Sequence, residues 1–235
     1  MIRGPLLCAA LVLSSVPAVA RAQEAARPEP VIVTLGHATV KVPPDRAFVT
    51  IATEAAAASP GAAQQQIARS MTAVRASLKA AGFPDDSVKT LAYGLQEEVD
   101  YQNGKRVPRG YRARNTIEVR VDDIARVGEV IDASVKAGAN AVNDIRFDLK
   151  DRAAVERDAL KRAVADARAR ADAMAAGAGV TIGSIVRIDE QDHGSPVPRP
   201  QPMMMRAAVA DAPETPVSAG EIEIDAAVTL TASIK

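Results

Sequence analysis

Two long segments that read as strands flank the dipeptide Asn103-Gly104, at residues 87–101 and 105–121. A two-residue hairpin turn needs positive φ at both positions, which asparagine and glycine tolerate best. The dipeptide therefore predicts that the two segments are neighbouring antiparallel strands. Both arms exceed the usual strand length of about five or six residues. The hairpin therefore either extends beyond its domain and contacts another subunit, or packs wholly on its own sheet.

The rest of the chain alternates strand-like and helix-like segments. Five further strands are predicted at residues 31–40, 47–57, 145–149, 180–189 and 221–235, and the first two are expected to pair with each other. Three helices are predicted at residues 60–81, 124–137 and 151–176, the last with a shared face of Leu160, Val164, Ala167, Ala171 and Met174. The order ββ-α-ββ-α-β-α-β-β predicts an α+β fold, a mainly antiparallel sheet with three helices packed on it.

The N-terminal residues predict export. Arg3 supplies a positive charge, an apolar run follows at residues 6–16, and Ala20-Arg21-Ala22 offers the small residues that a signal peptidase reads. Residues 1–22 are therefore predicted to be a signal peptide, followed by a flexible lead-in at 23–30 and one domain at 31–235. Cleavage removes Cys8, the single cysteine, and places the protein in the periplasm.

The charge balance argues against a nucleic-acid partner. Cleavage removes two of the 29 basic residues and none of the 29 acidic ones, which leaves a formal charge of −2. The two signs are interleaved along the predicted helices, whereas a nucleic-acid surface needs a basic patch. No later stretch approaches the roughly eighteen apolar residues of a transmembrane helix, so no membrane span is expected in the mature chain.

The residues that could carry chemistry are few. His37 and His193 are the two histidines, and a zinc site usually needs several His or Cys ligands. The acidic pairs Asp85-Asp86 and Asp122-Asp123 stand at element starts, where capping explains them, and Glu97-Glu98 point to opposite faces of a strand. The sequence therefore predicts no catalytic residue, no cofactor-binding residue and no metal ligand, and the protein is not expected to be an enzyme.

Two features leave alternatives open. Residues 190–219 hold six of the fifteen prolines and include Met203, Met204 and Met205, which either bind copper(I) through soft thioethers or form an apolar patch that docks on the domain or on another subunit. The second hairpin arm is basic and either steers an anionic partner or pairs across the hairpin with Glu97, Glu98 and Asp100. Its cations are Lys105, Arg106, Arg109, Arg112 and Arg114.

Several short motifs in order resemble the SIMPL-domain family of exported bacterial proteins, which includes periplasmic and outer-membrane-associated immunogenic proteins. The resemblance runs over residues 31–234. Its motifs are Gly36, Pro44-Asp45-Arg46-Ala47, Gly110-Tyr111-Arg112-Ala113-Arg114-Asn115, Ile117-Glu118-Val119, Gly138-Ala139, Ile145-Arg146-Phe147, the helix that ends at Gly177 and Gly179, and Gly220-Glu221-Ile222. The resemblance implies an α+β fold and large ring-like oligomers. It implies no established enzyme activity and transfers no active-site residue.

The functional hypothesis is a non-enzymatic exported envelope protein that acts as a homo-oligomer, in envelope organisation or oxidative-stress protection. It is expected in the periplasm, with peripheral association with the outer membrane as an option. The alternative is a periplasmic binding module that holds a small or lipidic ligand between sheet and helices. A third option, an enzyme with a carboxylate site, has no motif behind it.

Overall fold

The computed structural model describes residues 29–191 and 218–235. Seven strands and three helices follow the predicted order, which confirms the α+β fold. The elements are β1 (Val31–Val42), β2 (Arg46–Ala57), α1 (Pro60–Ala80), β3 (Val88–Gln102), β4 (Lys105–Val121), α2 (Val127–Lys136), β5 (Ala141–Asp148), α3 (Arg152–Gly177), β6 (Ile182–Glu190) and β7 (Ile222–Ile234). The predictions for the signal peptide, Cys8, His193 and the three methionines lie outside the described residues, as do those for most of the lead-in and the proline-rich loop.

The strands form two antiparallel sheets. One has the order β3-β4-β2-β5 and the other the order β1-β7-β6. The expectation that β1 pairs with β2 is wrong, because β1 pairs along its whole length with β7, from Val31 opposite Ser233 to Val42 opposite Ile222. Pro43 and Pro44 cannot donate to a ladder, and the chain crosses there from one sheet to the other. Asp45 fixes the crossing, because its carboxylate accepts a hydrogen bond from Lys150 N–H at 2.7 Å.

The four-stranded sheet carries α1 and α2 on one face. The buried stripe of α1 consists of Ile67, Met71, Val74 and Leu78. Ser59 caps this helix with its side chain, which accepts a hydrogen bond from Ala62 N–H. The stripe packs on alternate residues of the two central strands, which follows from the side-chain period of two in a strand. These strand residues are Ala47, Val49, Ile51, Ile117, Val119 and Val121.

The three-stranded sheet carries α3 on one face, with a contact surface made of alanines. Ala159, Ala163, Ala167, Ala171 and Ala175 are buried, whereas Met174 is 50% exposed. The predicted face was therefore wrong at Met174, and Leu160 and Val164 lie at the margin of the contact. A Cβ on Gly36 of β1 would stand 2.1 Å from the carbonyl oxygen of Ala163. Because α3 and β1 approach so closely, the face of α3 that packs on the strand has room only for alanine side chains.

Candidate functional site

The β3–β4 hairpin is the most extended feature of the described chain. Its arms contain 15 and 17 residues, and the turn has Asn103 at φ 49° and Gly104 at φ 77°. The hairpin predicted from Asn103-Gly104 is therefore confirmed. Strand pairing runs from Gln102 opposite Lys105 back to Val88 opposite Val119, with register shifts near Leu91 and Val99. These shifts add local twist to the ribbon.

Among the described residues, no third strand lies beside the outer part of the hairpin. β2 pairs with β4 only as far as Ala57 opposite Tyr111. At Gly110 the backbone has φ +122°, and a Cβ there would stand 2.6 Å from the carbonyl oxygen of Ala57. β2 thus ends against Gly110, and residues 99–109 continue as a two-stranded ribbon. Tyr101 near its tip is 71% exposed.

Ion pairs along the hairpin join the basic arm to the acidic arm. Arg109 pairs with Asp100 at 2.8 Å, Arg106 pairs with Glu97, and Arg112 pairs with Glu98. The hydrogen bond from Arg109 holds the pKa of Asp100 below its ordinary value. The cross-strand reading of this basic arm is therefore confirmed for these three arginines.

The pairing extends onto β2 through Glu54. Arg114 pairs with Glu54, and Arg112 approaches the same carboxylate at 3.2 Å. Glu98 and Glu54 together hold the pKa of Arg112 above its ordinary value, Glu98 having the larger effect. Among the described residues Lys105 at the tip forms no ion pair.

An apolar strip on β3 was missed by the sequence analysis. Leu91, Tyr93 and Leu95 are 47%, 50% and 40% exposed, and β3 is an edge strand of its sheet. Tyr93 and Leu95 stand opposite Asn115 and Ala113 of β4, on the face that carries α1. The alternation of Leu91, Tyr93 and Leu95 was the available signal.

A cavity of about 630 Å³ lies beside the first turns of α3. Its apolar floor includes Ala38, Leu160 and Ala226, and its rim includes Arg157 and Glu190. Such a volume falls in the range of small-molecule sites, roughly 300–1,000 Å³. His37, one of the two histidines considered in the sequence, lines the cavity as an exposed strand residue. Its backbone N–H donates a hydrogen bond to Asp166 at 2.9 Å.

The acidic pairs singled out in the sequence have structural partners. Asp123 caps the turn before α2 by accepting a hydrogen bond from Ala125 N–H, and Asp122 pairs with Arg46 at 2.6 Å. Asp85 pairs with Lys79 at 2.8 Å, and Asp86 lies 3.7 Å from Arg120. Capping, which the sequence predicted for both pairs, is therefore confirmed at Asp123, whereas Asp122, Asp85 and Asp86 form ion pairs.

Within residues 29–191 and 218–235, no group of three or more His, Cys, Asp or Glu side chains is arranged to hold a metal ion. In the same part of the chain, no helix has the length and apolar character needed to cross a membrane.

Comparison with known proteins gives one consistent result. The family model described as SIMPL, protein of unknown function (DUF541), matches residues 32–232. The 26 kDa periplasmic immunogenic protein of Brucella melitensis biotype 1 is 31% identical over 231 residues, which cover 94% of this chain and 91% of that protein. The uncharacterized protein YggE of Escherichia coli is 29% identical over 201 residues, which cover 85% of this chain and 78% of that protein.

Proposed function

The chain belongs to the SIMPL family, and we propose that it works in the periplasm as a non-enzymatic homo-oligomer assembled through the β3–β4 hairpin. In this role it supports envelope organisation or protection against oxidative stress. The observation that carries the proposal is the outer ribbon at residues 99–109, which extends past the end of β2 at Ala57.

The shape of this ribbon favours a role in assembly. An isolated two-stranded hairpin is only marginally stable in water. Packing against a second subunit would therefore stabilise the ribbon. Exposed Tyr101 lies on the ribbon, and the strip of Leu91, Tyr93 and Leu95 lies on the same hairpin arm. Aromatic and leucine side chains of this kind supply apolar area to interfaces.

The ion pairs of the hairpin suit it to this role. Arg106, Arg109 and Arg112 are each matched by a carboxylate of the neighbouring strand. Cross-strand pairs of opposite charge stabilise a ribbon by about 0.2–1 kcal/mol each, and they leave little net charge to repel a second copy. The pairing supports the hairpin as a contact between subunits and offers little to an anionic partner.

The periplasmic assignment is supported from two sides. Residues 1–22 have the composition of a signal peptide, and the Brucella relative is named as a periplasmic protein. N-terminal sequencing of the exported protein tests the assignment. We expect the mature chain to begin at Gln23, and a chain that retains Cys8 would contradict cleavage after Ala22.

The oligomer is tested by light scattering on the purified mature protein, combined with crosslinking in intact cells. We expect a solution mass that is a multiple of the chain mass, and crosslinked species composed of this chain. A monomer at all concentrations would overturn the proposal.

A second candidate function is favoured by the cavity of about 630 Å³ beside α3. There the chain would bind a small ligand, with the apolar floor around Leu160 against the ligand body. Native mass spectrometry of the protein purified from the periplasm tests this candidate. A co-purified small molecule that is lost from Leu160→Trp, whose larger side chain takes up part of the cavity, would favour this candidate over assembly alone.

A further inference from the structure

Among the described residues, the two sheets have four edge strands, and three of them carry features that disfavour backbone hydrogen bonding to a strand of another chain. Natural proteins protect such edges with charges, bulges or short length. β5 has only eight residues, three of them charged. β3 and β6 each have two register shifts against their neighbours. Both also carry charged side chains, among them Lys89 and Glu98 on β3 and Arg187 and Asp189 on β6.

The fourth edge strand, β1, has none of these features between Val31 and Val40, and its one charged residue, Lys41, lies near its end. It contains twelve residues and pairs with β7 in an unbroken register from end to end. From Val31 to Val40 it carries no Asp, Glu, Lys, Arg or Pro. A long, flat and uncharged edge of this kind is a template for a further strand. Among the described residues, no strand pairs with its outer side.

One hydrogen bond shows which backbone groups of β1 point outward. His37 donates its backbone N–H to the Asp166 carboxylate at 2.9 Å, so that N–H is directed away from β7. Because strand residues repeat with a period of two, the backbone groups of Val31, Val33 and Leu35 point to the same outer side. Asp166 of α3 therefore covers the edge at His37 and leaves the stretch from Val31 to Leu35 open.

The same three residues expose their side chains. Val31, Val33 and Leu35 are 42%, 54% and 48% exposed. They lie on the sheet face opposite α3, because the neighbouring Gly36 is on the face that packs against Ala163 of that helix. An identical strand laid antiparallel along this edge would place its own three aliphatic side chains beside them. Cross-strand pairs of β-branched and aliphatic residues are stabilising.

We propose that the outer edge of β1 is a second interface between copies of this chain, in which two β1 strands pair antiparallel about a two-fold axis. The two three-stranded sheets then form one continuous sheet of six strands. An isologous contact of this kind is the commonest in homo-oligomers. The pairing buries no charge of the strand itself.

Charge complementarity on the overhanging side of α3 agrees with this arrangement. The side of α3 that reaches the β1 edge carries Asp166, which pairs with Arg170 at 2.9 Å. Two turns earlier in the same row, Asp158 pairs with Arg162 at 2.7 Å. Acidic and basic residues thus alternate along this row at intervals of four residues, from Asp158 to Arg170. Two such rows that run antiparallel can oppose every acid to a base of the other copy.

This interface rests on the proposal that the chain assembles with itself, and it is separate from the hairpin contact. The two can be distinguished by experiment. A wild-type monomer would overturn both. A wild-type oligomer that is insensitive to every β1 variant would overturn the β1 interface and leave the proposed function standing.

The first test uses substitutions on the mature full-length chain, read by light scattering. Val33→Lys places like charges near each other across the two-fold axis, and Val33→Pro removes an outward N–H that β7 does not use. We expect both variants to lower the assembly mass at least two-fold with an unchanged circular-dichroism spectrum. The matched control is Val186→Lys on protected β6, where valine is 57% exposed, and it should keep the wild-type mass.

The second test is independent of folding stability and uses single cysteines, because the predicted mature chain has none. Paired antiparallel residues have Cα atoms about 4.5–5.5 Å apart, within reach of a disulfide. The centre of the open stretch places the two-fold axis at Val33, so that Val33 faces its own copy and Leu35 faces Val31. We expect Val33→Cys to give a disulfide-linked dimer under mild oxidation, and Val186→Cys to give none. Absence of a dimer from Val33→Cys, in a preparation that light scattering shows to be oligomeric, would overturn the proposal.

Discussion

Gly36 of β1 lies against the backbone of α3, where an added Cβ would stand 2.1 Å from the carbonyl oxygen of Ala163 and 2.5 Å from the amide nitrogen of Ala167. Both neighbours are main-chain atoms of one helix, so no rotamer change can make room. The contact sets how closely α3 approaches the three-stranded sheet. It also explains why alanine occupies every fourth position of the helix between Ala159 and Ala175.

The first prediction follows from this contact. Gly36→Ala should lower the free energy of unfolding by about 3 kcal/mol, the upper end of the usual cost of overpacking, and the melting temperature by roughly 10 °C. Thermal and urea unfolding measure the effect. Gly94→Ala in β3 is the matched control, because nothing lies within 4 Å of the added Cβ. Equal stability of the two variants would show that α3 moves away without cost.

The second prediction concerns the apolar strip of β3. Replacing Tyr93 and Leu95 together by serine should reduce the assembly mass if the hairpin arm is a subunit contact, because it removes exposed apolar area that an interface would bury. Val142→Ser on β5 is the control at the other edge of the same sheet, where valine is 39% exposed. Sedimentation velocity separates the species. A full-sized assembly from the double variant would exclude these two side chains from the contact.

The third prediction concerns pH. Arg109 lowers the pKa of Asp100, and the His37 N–H, followed by Arg170, lowers the pKa of Asp166. A depressed carboxyl pKa stabilises the fold above the ordinary value of 3.8, and this stability is lost as the pH falls through the folded value. We expect the protection factors of hairpin amides, which are corrected for the pH dependence of intrinsic exchange, to fall below about pH 4. In Asp100→Asn, the protection factors near the tip should be lower at pH 7 and less dependent on pH.

The sequence predicted the elements that depend on local signals. Asn103-Gly104 identified the hairpin because the turn itself needs positive φ, and the predicted start of the first helix at residue 60 agrees with α1, whose capping by Ser59 is a local interaction. Pairing between β1 and β7 could not be predicted in the same way. Val31 and Ser233 are neighbours in the sheet but are about two hundred residues apart in the sequence. The pattern of apolar residues alone does not choose between strands of equal apolar character as pairing partners.

The buried face of α3 was misjudged at Met174 for a related reason. Larger apolar side chains were taken as the buried ones, whereas the close approach at Gly36 selects the smallest. A lone glycine inside a strand is a known sign of close backbone approach, and Gly36 could have been interpreted in that way. The cavity beside α3 draws residues from β1, β6, β7 and the helix, so no sequence motif contains it.

The fourth prediction concerns Met203, Met204 and Met205 of the proline-rich segment, whose thioether sulfur atoms peroxide can oxidise. If the protein protects cells from peroxide through assembly, replacing all three by leucine should leave survival of peroxide-treated cells unchanged, because leucine keeps the apolar volume and removes the oxidisable sulfur. A deletion strain complemented with wild type or with the triple variant measures this. Loss of protection only in the triple variant would assign the effect to methionine oxidation.

The proposal that subunits assemble through the β3–β4 hairpin is tested most sharply by the solution mass of a chain with a shortened hairpin. Deletion of residues 99–102 and 105–109 keeps Asn103-Gly104 and joins the turn to Glu98 and Gly110, which are already paired across the ribbon. We expect this variant to fold, with the wild-type circular-dichroism spectrum, and to have a smaller assembly mass by light scattering than the wild-type protein. A folded variant with the full wild-type assembly mass would contradict the claim that the hairpin holds the subunits together.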